Sequence, residues 1–275
     1  MTIRPKVGFI VYGVHKDGLQ DPMGQPFIDD ALVAKARQAL QSAGLELVEH
    51  DLVIASKEEA RACFSSFTKM DDLDAVLLFS GTWVWAAHLV AALRNFSFTG
   101  KGIVLWTHPG SQGWRPVGGW VMHGALKEVG IRHRFVYGAW DDAQGMGRIV
   151  SYCRASHEKN RLNMSTIGAL GGRGMGQTCG VADPSQWMRV FGVDIDSRDT
   201  SELIETARQI SPAEVQRAKE EIQPLFSVPI PDDEMAERSI RLYLALAQIV
   251  DREGWEFYTI QSFPGLADDY VATCF

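Results

Sequence analysis

Cysteine is scarce in this chain. Its 275 residues hold four, Cys63, Cys153, Cys179 and Cys274. They form no CxxC pair and no zinc-ligand spacing, which excludes a dense disulfide framework; reduced thiols in a cytoplasm are the expectation. Long hydrophobic runs are missing too. Without about 18 consecutive apolar residues no membrane span is expected. The opening MTIRPKVGFIVYG leads into a strand-like segment with no long apolar stretch and no small-residue cleavage site, so no signal peptide is read. Basic clusters are absent, and the net charge is -7, so nucleic acid is not an expected partner. There is no internal repeat, no low-complexity tract and no GxSxG elbow. Ser111 in GSQGW has no assignable His–Asp partner.

What is present is a 46% hydrophobic composition arranged in alternating strand-like and helix-like stretches. Apolar runs at 6–13, 45–50, 73–81, 101–108 and 131–138 read as strands. Helical periodicity fills 27–43, 57–69, 83–95, 117–129 and 141–160, with Gly44 and Gly130 as stops. Strands separated by helices imply crossover connections and a parallel sheet, flavodoxin-like or Rossmann-like. A second unit starts near 162. It reads as a strand at 163–172, a short helix over 183–192 with Asp183 as N-cap and Pro184 first, and a strand at 193–196. Helices follow near 199–209, 212–222 and 232–253, then a strand at 255–261. The closing DDYVATCF (268–275) has the pattern of an amphipathic helix. The fold class expected is α/β, two consecutive open parallel-sheet units, divided into 1–161 and 162–275.

Ligands of open parallel sheets bind beyond the carboxyl ends of the strands. The loops there are VHKDGLQDPMGQP (14–26), GTWVW (81–85), HPGSQGWRPVGGW (108–120), GGRGMGQTCG (171–180) and QSFPGL (261–266). They hold Thr82, Ser111, Gln112, Arg115, Gln177 and Gln261, donors and acceptors suited to hydroxyl groups. Trp83 and Trp114, two of eight tryptophans, offer flat faces. His108 follows a strand and is a candidate site residue; His123 falls within a helical pattern and reads as packing or surface. Asp141–Asp142 and Asp268–Asp269 are adjacent on helices, so neither spacing makes a carboxylate dyad.

The stretch GGRGMGQ (171–177) leaves two readings open. Gly172, Gly174 and Gly176 approximate the G-x-G-x-x-G phosphate fingerprint, with Asp194 and Asp196 near the end of the next strand, which would make an NAD(P)-dependent oxidoreductase. Alternatively the glycines serve only a tight turn.

Several stretches together resemble the L-fucose/L-arabinose isomerase-like family. They are PKVGFI, SGTWVW and HPGSQGWRPVGGWVMHGALKEVG, then IGALGGRGMGQTCGVADPSQWMRVFGVDIDSRDTSELI, and IQSFPGLADDYVATCF, which contains a close match to that family's LPGLA. They occur in family order across the whole chain. The resemblance implies an aldose–ketose isomerase of carbohydrate metabolism using Mn²⁺, cytoplasmic, with a monosaccharide substrate and a homo-oligomeric assembly. It implies that the glycine loop is a turn and not a nucleotide site. It implies substrate contacts by Trp83, reaching into a neighbouring subunit's site, and by Gln261; Gln112, Trp114, Arg173 and Met175 complete the expected sugar-binding set. The family's metal ligands lie beyond PGLA, so none is assigned in this chain, which is expected to be a fragment. The fucose enzymes carry an Arg near the first strand; here His15 or Lys16 stands nearby instead. A two-lobed sugar-binding protein without catalysis, hinged near 160, is the further alternative.

Overall fold

The computed structural model describes residues 4–14, 28–50, 53–110, 114–173 and 181–272. Contacts divide it into two compact units, Met1–Asn160 and Arg161–Phe275.

The first unit runs β1 (Lys6–Tyr12), α1 (Asp30–Ser42), β2 (Glu46–Glu49), α2 (Lys57–Thr68), β3 (Ala75–Ser80), α3 (Ala87–Ser97), β4 (Gly102–Thr107), α4 (Arg115–Glu128), β5 (Arg134–Tyr137) and α5 (Ala143–Leu162). All strand pairings are parallel, in the order β2-β1-β3-β4-β5. This is the flavodoxin-like order, with its topological switch point between β1 and β3. β3 and β4 are buried at every position, as expected of central strands covered on both faces. One face packs Ile10, Leu78 and Leu105 against residues of α2, α3 and α4. The other packs Phe9, Phe79 and Trp106 against residues of α1 and α5. There the Phe79 and Trp106 rings meet edge-on at 5.0 Å. Such a pair adds about 0.5–1.5 kcal/mol beyond area burial.

Local signals set the helix ends. Asp29 caps α1 by accepting from Ala31 and Leu32 N–H. Ser56 and Glu59 form a reciprocal capping box on α2. Gly44, at φ +91°, takes the left-handed turn after α1, where a side chain would be strained. α3 begins at Ala87 and not at residue 83. The Thr82 side chain is drawn back to β1, its Oγ1 accepting from Val14 N–H at 2.7 Å, so the chain after β3 runs on as a loop.

The second unit holds β6 (Thr166–Leu170), α6 (Pro184–Phe191), β7 (Asp194–Arg198), α7 (Thr200–Gln209), α8 (Pro212–Ile222), α9 (Glu234–Glu253) and β8 (Phe257–Ile260). Its sheet is parallel in the order β7-β6-β8. Asp183 caps α6 and Pro184 opens it. Leu170 packs with Leu203, Leu246, Ile249 and Trp255 against α7 and α9. The helix expected over 268–275 is corrected: only Ala267–Asp269 is helical. Tyr270 leaves helical geometry at φ -146°, ψ -75°. Its carbonyl accepts from Arg238 Nη1 at 3.1 Å, and the next side chain, Val271, is buried in the core. Anchoring the chain to α9 and burying Val271 outweighs one more helical turn; residues 273–275 lie outside the described set.

Two glycines in α4 fix how close that helix comes to the sheet. A Cβ on Gly118 would sit 3.0 Å from the Thr82 carbonyl oxygen and from Trp83 Cα. One on Gly119 would sit 1.8 Å from Thr107 Oγ1. Gly124, in the same helix, has nothing within 4 Å of such an atom. Gly119→Ala should therefore destabilise the first unit by about 1–3 kcal/mol through overpacking. Gly124→Ala should stabilise it by about 0.5–1 kcal/mol through helix propensity. Thermal unfolding of the two variants beside the parent checks both signs.

Candidate functional site

The three central strands of the first unit end on polar residues. Tyr12 is in register with Ser80 across β1 and β3, and Thr107 follows Trp106, the partner of Phe79, on β4. Tyr12, Ser80 and Thr107 thus form one polar row above an apolar face. All three are fully buried. Ser80 Oγ donates to the Arg115 carbonyl at 3.0 Å, fastening the first residue of α4 to the end of β3. Burial pushes the Tyr12 phenol well up, against smaller lowering effects from the Ser80 and Thr107 hydroxyls. Among the described residues Tyr12 Oη and Thr107 Oγ1 nevertheless have no hydrogen bond of good geometry. The signal for this row is legible in the sequence as three apolar strands that stop at Y, S and T.

Above the row lie further buried polar atoms without partners among the described residues: Trp83 Nε1, His108 Nε2 and Arg115 Nε. Trp83 sits on the loop after β3, its ring 5.2 Å from that of Trp85. His108 sits just after β4, stacked on Trp140 at 4.2 Å. Its Nδ1 lies 2.5 Å from the Pro109 carbonyl oxygen. A carbonyl only accepts, so Nδ1 carries the proton and Nε2 of the neutral ring is a bare lone pair. Burial lowers the His108 pKa; the Pro109 contact raises it, Arg115 lowers it and Asp141 raises it, in falling order. Arg115 is the first residue of α4 and only 5% exposed. Burial lowers its pKa, opposed by the Asp29 carboxylate, but a guanidinium stays charged at neutral pH.

Trp114, the N-cap of α4, is 54% exposed. It takes the left-handed conformation at φ 53° and makes no capping bond with its side chain. That backbone is uncommon for a bulky residue. Of the six residues expected at the sugar site, the structure places Trp83 and Trp114 at the strand ends of the first unit. Arg173 and Gln261 belong to the second unit. Gln112 and Met175 lie outside the described residues, as do Ser111, Gln177, His15 and Lys16.

In the second unit the loop after β6 is a turn in its described part. Gly171 has φ +84°, and a Cβ on it would meet Gln261 at 2.8 Å. Gln261 Oε1 accepts from Gly172 N–H at 2.6 Å, and its Nε2 donates to the Phe263 carbonyl at 3.3 Å. The Gln261 amide thus ties the ends of β6 and β8 together. Arg173 is exposed. Asp196 accepts from Arg198 Nε at 3.1 and 3.2 Å and from Trp255 Nε1 at 3.1 Å, so both its oxygens are committed within the unit. The sheet face away from α7 and α9 lines a groove of about 830 Å³ that includes Ile167, Ala169, Ile195, Trp187 and Phe191. His123 is on α4, its Nδ1 2.7 Å from His133 Nε2 and its ring stacked on Phe135.

Among the described residues no three His, Cys, Asp or Glu side chains come together as a metal site. Those residues do not fit the Mn²⁺ that the resemblance implies. No described helix is long and apolar enough to cross a membrane. A scan against protein-family models and a search of curated proteins each find no match.

The lowered His108 pKa has a pH consequence. Between its folded value and the ordinary 6.5, the unfolded chain binds more protons than the folded one. Stability therefore rises with pH through that window and is lost as pH falls through it. His108→Gln should make the melting temperature less sensitive to pH below about 6.5, the ordinary imidazole value. An NMR titration of the parent should place the His108 ring below that value. A ring titrating at or above it would show that burial does not govern this residue.

Proposed function

We propose that the first unit recognises a monosaccharide at the carboxyl ends of β3 and β4. On this reading the chain serves an aldose–ketose isomerase of the L-fucose/L-arabinose isomerase-like kind. The observation that carries the recognition step is the set of partnerless buried polar atoms there, with Trp83 Nε1 as a donor and His108 Nε2 as an acceptor. A sugar hydroxyl donates and accepts at once, so it can satisfy both kinds of group. The exposed Trp114 and Trp85 rings offer apolar faces for the C–H side of a sugar ring. The ordered resemblance of five sequence stretches supports the isomerase assignment. The oxidoreductase alternative draws no support from Asp196, whose oxygens are held by Arg198 and Trp255, nor from Gly172, whose N–H is taken by Gln261.

Calorimetric titration of the full chain with a panel of aldoses tests recognition, and ketose formation after Mn²⁺ is added tests turnover. The expected outcome is saturable binding of at least one aldose, with any ketose that forms depending on added metal and lost on chelation. Binding without turnover would favour the non-catalytic sugar-binding alternative. Tight NAD(P) binding without sugar binding would replace the proposal by the oxidoreductase one.

Trp83→Phe separates a ligand-facing donor from a structural one. The N–H it removes has no partner among the described residues, so the melting temperature should hold or rise slightly. Sugar affinity should fall about five-fold, the equivalent of one neutral hydrogen bond of about 1 kcal/mol. A fall in melting temperature with unchanged affinity would make this tryptophan a packing residue.

A further inference from the structure

We propose that Arg115 forms an oxyanion-binding site in the first unit, and that the sugar recognised there carries a carboxylate or phosphate group. The inference rests on the sugar-recognition reading above and names the class of sugar.

Arg115 is nineteen-twentieths buried, at 5% exposure, and its Nε has no hydrogen-bond partner among the described residues. A buried guanidinium is costly to leave uncompensated, and no described carboxylate lies in ion-pair contact with it. The carboxylate that acts on it electrostatically is Asp29. Asp29 is already committed: its Oδ1 accepts from Ala31 N–H at 3.0 Å and Leu32 N–H at 3.2 Å, capping α1. The Arg115 side chain runs across the strand ends and not outward along α4. Its Nη2 is the nearest atom, at 3.6 Å, to a Cβ built on Gly110, after β4. It also acts electrostatically on His108.

The second contribution comes from α4 itself. It is 14 residues long and its N-cap, Trp114, makes no capping bond with its side chain; Ser80 fastens its first residue to the end of β3, which sets the positive end of the helix at the same strand ends. Ser80 anchors the Arg115 carbonyl, and Gly118 and Gly119 hold the helix against the sheet, which fixes the base of the side chain. A guanidinium fork held in this way matches two oxygens of a carboxylate or phosphate. Trp83 and Trp114 flank the same helix terminus with apolar faces suited to a sugar ring, so the anion is assigned to the sugar and not to a free ion.

The test is calorimetric titration of the full chain with D-galacturonate, D-glucuronate and D-glucose 6-phosphate. D-Galactose, D-glucose and inorganic phosphate are the comparison probes, all at matched ionic strength. At least one anionic sugar should bind about ten-fold or more tighter than its neutral counterpart and than inorganic phosphate, as a charge-assisted bidentate contact would give. Arg115→Met should abolish that preference without lowering the melting temperature. Arg115→Lys, which keeps the charge but loses the fork, should retain part of it and serves as the variant of record if the Met form does not fold. Equal affinity for neutral and anionic sugars would overturn the proposal, as would inorganic phosphate binding as tightly as any anionic sugar. So would a preference that survives both substitutions. Neutral-aldose turnover with no anionic preference would sink this inference and leave the isomerase reading standing. An anionic preference lost in Arg115→Met, with no ketose formed, would do the reverse.

Discussion

The strand-end site depends on one close approach, that of α4 to the ends of β3 and β4. Gly118 and Gly119 allow it, since a Cβ at either position would collide with Thr82, Trp83 or Thr107. The approach lets Ser80 Oγ reach the Arg115 carbonyl. It covers the hydroxyl of Thr107 and brings the Arg115 side chain beneath the surface. Trp114 takes a left-handed conformation where the chain enters the helix. A strained residue at a helix entry persists only when its surroundings over-determine it. Here the helix pressed on the sheet at one end of that junction supplies the constraint.

The same approach decides which interaction dominates the site. Each neutral polar atom left unpaired in the interior costs about 1–3 kcal/mol. An unpaired buried cation costs more, since breaking a buried ion pair by removing one partner typically loses about 3–5 kcal/mol. Trp83 Nε1 and His108 Nε2 are of the first kind and Arg115 is of the second. A ligand that brings only hydroxyls relieves the lesser cost. One that also brings an anion relieves the greater one, in an environment where screening by water is weak. The fold sustains the arrangement because the rows beneath are apolar and closely packed, from Leu78 and Leu105 on one face to Phe79 and Trp106 on the other.

The fold was largely legible in the sequence because its signals are local and repeated. Buried runs such as AVLLFS, stops such as Gly44 and caps such as Asp183 each report on a few neighbouring residues. The crossover rule fixes the hand of each strand–helix–strand unit, but the sequence leaves the strand order open between flavodoxin-like and Rossmann-like, and the structure decides for the former. Where the reading failed, a distant contact outweighed a local pattern. The helix foreseen over 268–275 yields to the Arg238 anchor on Tyr270 and the burial of Val271, which no periodicity within that octapeptide encodes. The site was legible only as a set of loops. Thr82 looked like a sugar donor, yet its hydroxyl oxygen accepts from the Val14 backbone just after β1. Gln261 looked like one too, yet its amide bridges two strand ends. His108 was marked by its position after β4, but the bare lone pair on Nε2 follows from a contact with Pro109 that only the three-dimensional path of the loop creates.

The glycine-rich stretch after β6 makes the same point from the other side. A phosphate loop and a tight turn ask for the same residue because both need backbone without a side chain, one to approach a ligand and the other to turn. Spacing alone cannot separate them. What separates them is where the backbone N–H groups and the nearby acid point. At Gly172 the N–H is answered by Gln261, and at Asp196 the carboxylate is answered by Arg198 and Trp255. Gly171 adopts φ +84° against the Gln261 side chain. In the described part of this loop, glycine therefore serves the meeting of two strand ends. In the first unit, by contrast, glycines bring a helix down on strand ends, where Arg115 Nε has no hydrogen-bond partner among the described residues. In its described part, the more ligand-like sequence motif is thus the more self-satisfied structure. The groups without partners stand where the sequence shows a Gly-Gly pair in the middle of a helix.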